Sequence, residues 1–401
     1  MQRTVRKTTF VFIVAIGVCV LLLAQWRTYS QTLTSNSKEN LTNPLPGLTP
    51  GQLNDFNDGL AEFGAAEAID EGLGPVFNGK SCAECHAVPS TGGSEPNQGV
   101  ARETRIGRIF NGKFDPLDGS VSVDRGGPLL QQRAINLPGC NLKGEVVPPE
   151  ATIVSLRLST QLFGAGLMEA IPESTILGNK SNGGRDNRVL NPDTGATELG
   201  RFGWKAQVAT LRQFAGDAYL NEMGITNPSF KMENKPQGQP IPPRCDTVAD
   251  PEDNGDGVTA FTNFMRFLAP APRLPSTPQV PRGEQVFSQI GCDSCHVPTM
   301  MTGPNSVAAL SNKPVNLFSD LLLHDIGTGD GIEQGKATGN DFRTAPLWGL
   351  SRRDRFLHNG SSKTIEDAIL RHGAEAQNAL NGFKILPQSD HDALLAFLGS
   401  L

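Results

Sequence analysis

A mainly α fold in two separate domains, with long loops and minor β structure, is what this sequence predicts. Three observations lead there. The pentapeptide Cys-x-x-Cys-His occurs twice, as Cys82-Ala83-Glu84-Cys85-His86 and as Cys292-Asp293-Ser294-Cys295-His296, so one structural unit is used twice. A helix-forming segment precedes each copy. Gly and Pro, with 44 and 29 residues, punctuate the stretches between and keep them in loops.

The pentapeptide has a specific chemistry. CxxCH is the attachment site of a c-type haem, whose vinyl groups take up the two thiols while the adjacent histidine reaches the iron. Two covalently bound haem c groups are therefore expected, on Cys82 and Cys85 and on Cys292 and Cys295, with His86 and His296 as proximal iron ligands. Zinc is the competing reading, because a CxxC pair supplies half of a thiolate site. It leaves the histidine after each second cysteine unexplained. A hydrophobic content of only 38% suits a loop-rich chain whose core includes a large apolar cofactor.

The net charge of −6 argues against nucleic acid or an acidic membrane surface as the main partner. No phosphate-binding Gly loop, HExxH zinc helix or nucleophile elbow is present. At the N-terminus Arg3, Arg6 and Lys7 precede the apolar run from Phe10 to Ala24, the pattern of a secretory signal. The run is short of the roughly 20 residues a membrane span needs, although an uncleaved anchor is the second reading, since no clean cleavage site follows. Residues 1–30 are thus a signal peptide or N-terminal anchor, and residues 31–48 a flexible leader. Either way the rest of the chain is expected in the periplasm, free or tethered to the inner membrane.

Of the seven cysteines, four belong to the pentapeptides and Cys19 to the apolar run. Cys140 and Cys245 remain, an even pair in an oxidising compartment, and a disulfide between them is expected over two separate buried thiols.

The first haem domain, with a long insertion, is assigned to 49–270. Thr49 and Pro50 read as N-cap and first residue of a helix whose buried stripe is Leu53, Phe56, Leu60 and Phe63. Residues Thr152 to Leu158 read as a short strand, Trp204 to Met223 as a helix, and Phe261 to Leu268 as another. Asp250 to Gly257 has the composition of a calcium loop, but lacks its spacing and its terminal glutamate, which counts against calcium. No histidine lies between His86 and His296. The sixth ligand of the first haem is then a methionine, a histidine from the other domain, water, or nothing. Met168 is the best-placed methionine, with a gap-filling core role as the alternative. Glu169 beside it is a candidate proton shuttle over an open iron, against the plainer reading of a solvated charge.

Residues 271–281 read as a linker and 282–401 as the C-terminal domain. Arg282 to Phe287 leads into Cys292, and all remaining histidines follow it: His324, His358, His372 and His391. Thr364 is a good N-cap for a helix from Ile365 to about His372, which places His372 on the inward face of Ile365, Ala368 and Ile369. His372 is therefore the candidate distal ligand of the second haem. His391, at the start of the last helix, is expected to be exposed. Trp348 and Arg343 are placed near a haem edge or its propionates, with plain core as the alternative for Trp348.

From about Phe56 to the C-terminus the chain resembles the bacterial di-haem oxidoreductases, a peroxidase-like family also called thiol oxidoreductases and distantly related to the bacterial di-haem cytochrome c peroxidases. The resemblance is carried by Gly72-Leu73-Gly74-Pro75, Gly126-Gly127-Pro128 and the run from Phe163 to Pro172. It continues in the run from Gly200 to Ala206, in Asp320-Leu321-Leu322-Leu323-His324-Asp325, in Phe342 to Leu350, and in Phe356 to His372. It implies two cytochrome c-like domains, with electrons entering at one haem and a peroxide cleaved at the other. Where the peroxidases carry a methionine ligand for the entry haem, this chain has His372, which implies a lower potential there.

The function expected is that of an exported di-haem c-type cytochrome with peroxidase-like oxidoreductase activity. It takes electrons from a small redox protein and gives them to a small-molecule oxidant such as hydrogen peroxide. A pure electron carrier is the alternative from another class, and thiol oxidation a third reading.

Overall fold

A computed structural model describes residues 40–95 and 103–401, and the signal or anchor expected at the N-terminus lies outside them. Helix α1 (Pro50–Gly64) starts as its sequence dictates. Thr49 accepts from the Gln52 N–H and the Gln52 side chain answers to the Thr49 N–H, a reciprocal cap that satisfies two otherwise orphaned donors. Phe56 and Phe63 are buried, but Leu53 is exposed, so the apolar stripe is narrower than the periodicity suggests.

The other α-helices among the described residues are short: α2 (Ala165–Glu169), α3 (Glu173–Gly178), α4 (Leu211–Met223), α5 (Asp256–Phe267), α6 (Val280–Gln289), α7 (Ile365–Leu370), α8 (Gln377–Lys384) and α9 (Gln388–Leu398). Among the described residues the strands form one three-stranded and four two-stranded antiparallel sheets. This corrects the expectation of a mainly α chain: helices supply the core, while loops and small sheets carry much of the length. Local propensity explains why. The Gly- and Pro-rich stretches cannot sustain helices, and their backbone groups pair in hairpins and turns instead.

Two helix pairs repeat one plan. In the first half α1 crosses α5, and Gly59 lies so close that a Cβ there would meet the Ala260 carbonyl oxygen at 2.3 Å. In the second half α6 crosses α9, and a Cβ on Gly283 would meet the Ala393 carbonyl oxygen at 2.0 Å. One turn after each glycine comes a phenylalanine, Phe63 or Phe287. Their rings lie 6.1 Å from the His86 ring and 6.4 Å from the His296 ring. The same crossing therefore backs the histidine of each pentapeptide.

Two main apolar clusters correspond to these pairs. One contains Phe56, Phe63, Phe261 and Phe264, and the other Phe287, Phe318, Phe383 and Phe397. Their boundary does not follow the chain: Met300, Leu317, Leu322 and Trp348 pack into the first. Residues Leu41–Leu401 form a single contact unit. The flexible leader expected to reach residue 48 is in fact docked from Leu41 onward. Leu41 and Leu45 are buried, and the Leu45 N–H donates to the Phe267 carbonyl at 2.7 Å. Cys140 and Cys245 are joined as a disulfide.

Candidate functional site

Each pentapeptide folds as a tight turn that opens into a cavity. In the first, Cys82–Glu84 form a single 3-10 turn, and the His86 N–H donates to the Cys82 carbonyl at 3.1 Å. His86 Nδ1 lies 3.0 Å from the Gly93 carbonyl oxygen. That oxygen takes the ring proton and leaves Nε2 as the lone pair. The second turn is built alike, with His296 Nδ1 2.9 Å from the Phe318 carbonyl oxygen. Burial pulls both imidazoles down to about 4, so both are neutral near pH 7, as a metal ligand must be. Burial pushes the Cys82 and Cys292 thiols up to about 12.

The cavity around His296 is about 400 Å³ and largely apolar, lined by Phe287, Leu347, Phe356, Ile365 and Leu398. His372 lines it as well. Its Nδ1 lies 2.8 Å from the Ala368 carbonyl oxygen, so Nε2 carries the lone pair, as in His296, and burial again lowers its pKa. The helix before it ends at Leu370, two residues short of the expected end, with Thr364 as its N-cap as read from sequence. Two more histidines line the cavity. His358 stacks on Phe342, ring centroids 4.1 Å apart, and burial lowers its pKa to about 4. His324 stands apart, with Nε2 2.7 Å from Asp320 and Nδ1 3.1 Å from Glu375. Burial opposes its charge, yet the hydrogen bond with Asp320 holds the ring pKa up to about 10. His391 is half-buried against Phe383, 4.9 Å between ring centroids, rather than exposed.

The cavity around His86 is smaller, about 180 Å³, and has one apolar and one charged wall. Phe63, Phe261 and Met265 come from the α1–α5 pair, and Phe214, Ala218 and Met223 from α4. Opposite chemistry comes from Glu103, Arg105 and Arg157, and from Asp217 and Glu222 on α4. Burial lifts Asp217 to about 6, and burial with the nearby Glu103 lifts Glu222 to about 8. The Glu222 carboxylate accepts from Asn78 Nδ2 at 2.8 Å.

Neither Met168 nor Glu169 lines this cavity, which corrects both expectations. Met168 is core. Glu169 Oε1 accepts from the Leu211 N–H at 2.8 Å, where it caps α4, and Oε2 is 3.3 Å from Arg266. The carboxyls that do line it, Asp217 and Glu222, are on α4 itself. The signal was available: Asp217, Asn221 and Glu222 interrupt the face that Phe214 and Ala218 define at helical spacing.

Trp204 was missed too. It lines both histidine-containing cavities and a third, of about 80 Å³. Its Nε1 donates to the Leu158 carbonyl oxygen at 2.6 Å, and its ring meets His358 edge-on. The sequence predicts a helix from Trp204, but the helix begins only at Leu211, because Phe202 and Val208 bridge to each other first. Behind it, Asp330 joins Arg157 at 2.7 Å and Lys205 at 3.2 Å, all three buried, and so ties the strand of the first cavity to the second half of the chain.

Two guanidiniums give an independent test of whether porphyrin carboxylates fit here. Arg343 and Arg353 line both the second cavity and the small one, Trp348 only the small one. Neither arginine makes an ion pair among the described residues. Arg343 donates to the carbonyls of Gly203 and Thr344, and Arg353 to Gln161, with the Arg353 Nε buried and unpartnered. Burial pulls both down to about 10. A buried guanidinium that makes no ion pair is costly, and an anionic propionate at this place would supply one.

The acidic run at Asp250 has another role than a calcium loop in the expected form. Asp253 accepts from the Gly257 N–H at 2.9 Å and caps α5, which therefore starts earlier than expected. Glu233, Asp250 and Glu252 do gather their oxygens within 4.8 Å of one another. Burial and the nearby Glu252 push Glu233 upward, so this cluster holds a proton.

These features define a protein with two histidine-anchored cofactor cavities joined by one indole. The family model "Di-haem oxidoreductase, putative peroxidase" matches residues 138–401, and the chain belongs to that di-haem oxidoreductase family, which implies two haem groups. No curated protein matches the chain significantly. Similar solved structures include hydrazine synthase from Kuenenia stuttgartiensis, at 14% identity and TM-score 0.41, covering 87% of each chain. The di-haem peroxidase BthA from Burkholderia thailandensis matches at 16% identity and TM-score 0.41, covering 90% of this chain and 87% of that one. A MauG-like protein associated with microbial copper homeostasis matches at 18% and 0.32, covering 67% and 95%.

Proposed function

We propose that the chain is an exported c-type di-haem oxidoreductase that reduces hydrogen peroxide or a similar small oxidant at the His86 cavity. Electrons come from a small redox protein and enter at the His296 cavity. When bound, the two haems supply the one-electron couples and the iron site for the oxidant. Cys82, Cys85, Cys292 and Cys295 would hold them covalently, His86 and His296 would ligate from one side, and His372 would close the second iron.

The observation that carries the reading is the asymmetry of the cavities. The second has a pair of neutral histidines with matching free nitrogens, which suits electron transfer. The first has a single histidine and a wall with Asp217 and Glu222. Reduction of hydrogen peroxide to two waters takes two electrons and two protons. Carboxyls that titrate near neutrality can hold and return those protons. Trp204, common to both cavities, is the side chain through which they adjoin. The disulfide supports export, because such bonds persist outside the reducing cytosol.

Met223 and Met265 favour a second reading, since either could close the first iron and leave an electron carrier. Steady-state peroxide consumption with a reduced small redox protein as donor separates the two. Turnover that falls by about 10²–10⁴ in Glu222→Gln supports the enzyme. Oxidation of the donor that is indifferent to peroxide refutes it.

A further inference from the structure

Four histidines line the second cavity, and three of them are accounted for as neutral rings: His296 and His372 with a free Nε2, His358 stacked on Phe342. His324 is different. Both its nitrogens face carboxylates, and a ring that donates to one on each side must carry both protons. Such a ring is a cation and has no lone pair for a metal.

The clamp is built from several elements. His324 lies on the strand Leu323–Asp325, opposite Phe342 of the strand Asp341–Arg343. Asp320 is fully buried; its Oδ1 accepts from the Leu322 N–H at 3.0 Å, and its own N–H donates to the Cys295 carbonyl at 2.9 Å. Glu375 is held from outside by Arg185, at 2.7 Å, and Arg185 also pairs with Asp341. Its Nδ1 also lies 3.6 Å from the Cys295 sulphur.

We infer that His324 is a positioning residue that sets the reduction potential of the second haem: an imidazolium fixed between Asp320 and Glu375 against the Cys295 sulphur, and not an iron ligand. The inference rests on the reading of Cys292 and Cys295 as the attachment site. A cation at that distance in a water-poor cavity favours the reduced form and raises the potential. It thereby offsets the lowering that two imidazole ligands cause.

The test is a redox titration of the holoprotein, followed optically, in wild type and in His324→Gln, with haem content measured in parallel. A shift of the second haem to lower potential, with two haems bound and the low-spin bis-imidazole spectrum intact, is the result expected. An unmoved potential with both haems present overturns the inference. Loss of the low-spin spectrum also overturns it, because His324 would then be a ligand. A wild-type protein with no covalent haem at Cys292 and Cys295 overturns the reading beneath it as well. Should His324→Gln not fold, Glu375→Gln at the half-exposed end of the clamp serves. Removing that negative charge should raise the potential, and no change counts against the inference.

Discussion

His372 Nδ1 lies 2.8 Å from the carbonyl oxygen of Ala368, one turn earlier in the chain. This contact fixes the tautomer and leaves Nε2 as the only lone pair the ring offers. The same device recurs at His86 with Gly93 and at His296 with Phe318. Three rings prepared alike, two of them in one cavity, are the strongest structural sign of how many iron positions the chain closes.

Replacing His372 therefore has a definite consequence. His372→Ala should convert the second haem from low spin to high spin and leave the first unchanged, with added imidazole restoring the original spectrum. An unaltered low-spin spectrum would mean that another residue, with His358 the nearest alternative, supplies the ligand.

Asp217 and Glu222 predict a pH dependence of stability. Burial raises both, to about 6 and about 8. In the unfolded chain a carboxyl titrates near about 4. Between these values the folded state binds more protons than the unfolded state, so their contribution is fully present below about pH 4. It is lost as pH rises through 6 and then 8. Thermal unfolding across this range should show stability falling with pH, and a flatter slope in Asp217→Asn and Glu222→Gln. Equal slopes in all three proteins would show that neither group is protonated as described.

The helix crossings predict a matched pair of stability effects. Gly59→Ala and Gly283→Ala each place a Cβ against a backbone carbonyl that cannot step aside. Overpacking of this kind costs about 1–3 kcal/mol. Calorimetry should show a lowered midpoint for both. Because each crossing backs its own histidine, Gly59→Ala should broaden the absorption of the first haem and Gly283→Ala that of the second.

The disulfide closes a loop of 105 residues between Cys140 and Cys245. Its removal in Cys140→Ser with Cys245→Ser should destabilise the chain by about 2–5 kcal/mol. Denaturant unfolding of the double variant checks this, and an unchanged midpoint would contradict it.

What was legible in the sequence was local. The cap at Thr49 and Pro50, the cap at Thr364 and the strand at Ile153–Arg157 depend on neighbouring residues, and their types suffice to specify them. The inward direction of His372 followed from helical spacing alone. What was illegible depended on distant packing. Glu169 and Glu222 are both glutamates near apolar residues. Only the fold decides that one caps α4 and the other faces the His86 cavity. Trp204 gains its place between the cavities because Leu158, Phe342 and His358 converge on it from three parts of the chain. The acidic run at Asp250 misled because a helix cap and a calcium loop use the same residue types.

The measurement that tests the central claim most directly is the electron paramagnetic resonance and optical spectrum of the matured protein, oxidised and half-reduced, with and without hydrogen peroxide. The account predicts one low-spin iron with two imidazole ligands and one high-spin iron that appears in either state and reacts with peroxide. Two low-spin irons in every state, both silent to peroxide, would contradict it and identify an electron carrier, with Met223 or Met265 closing the first iron.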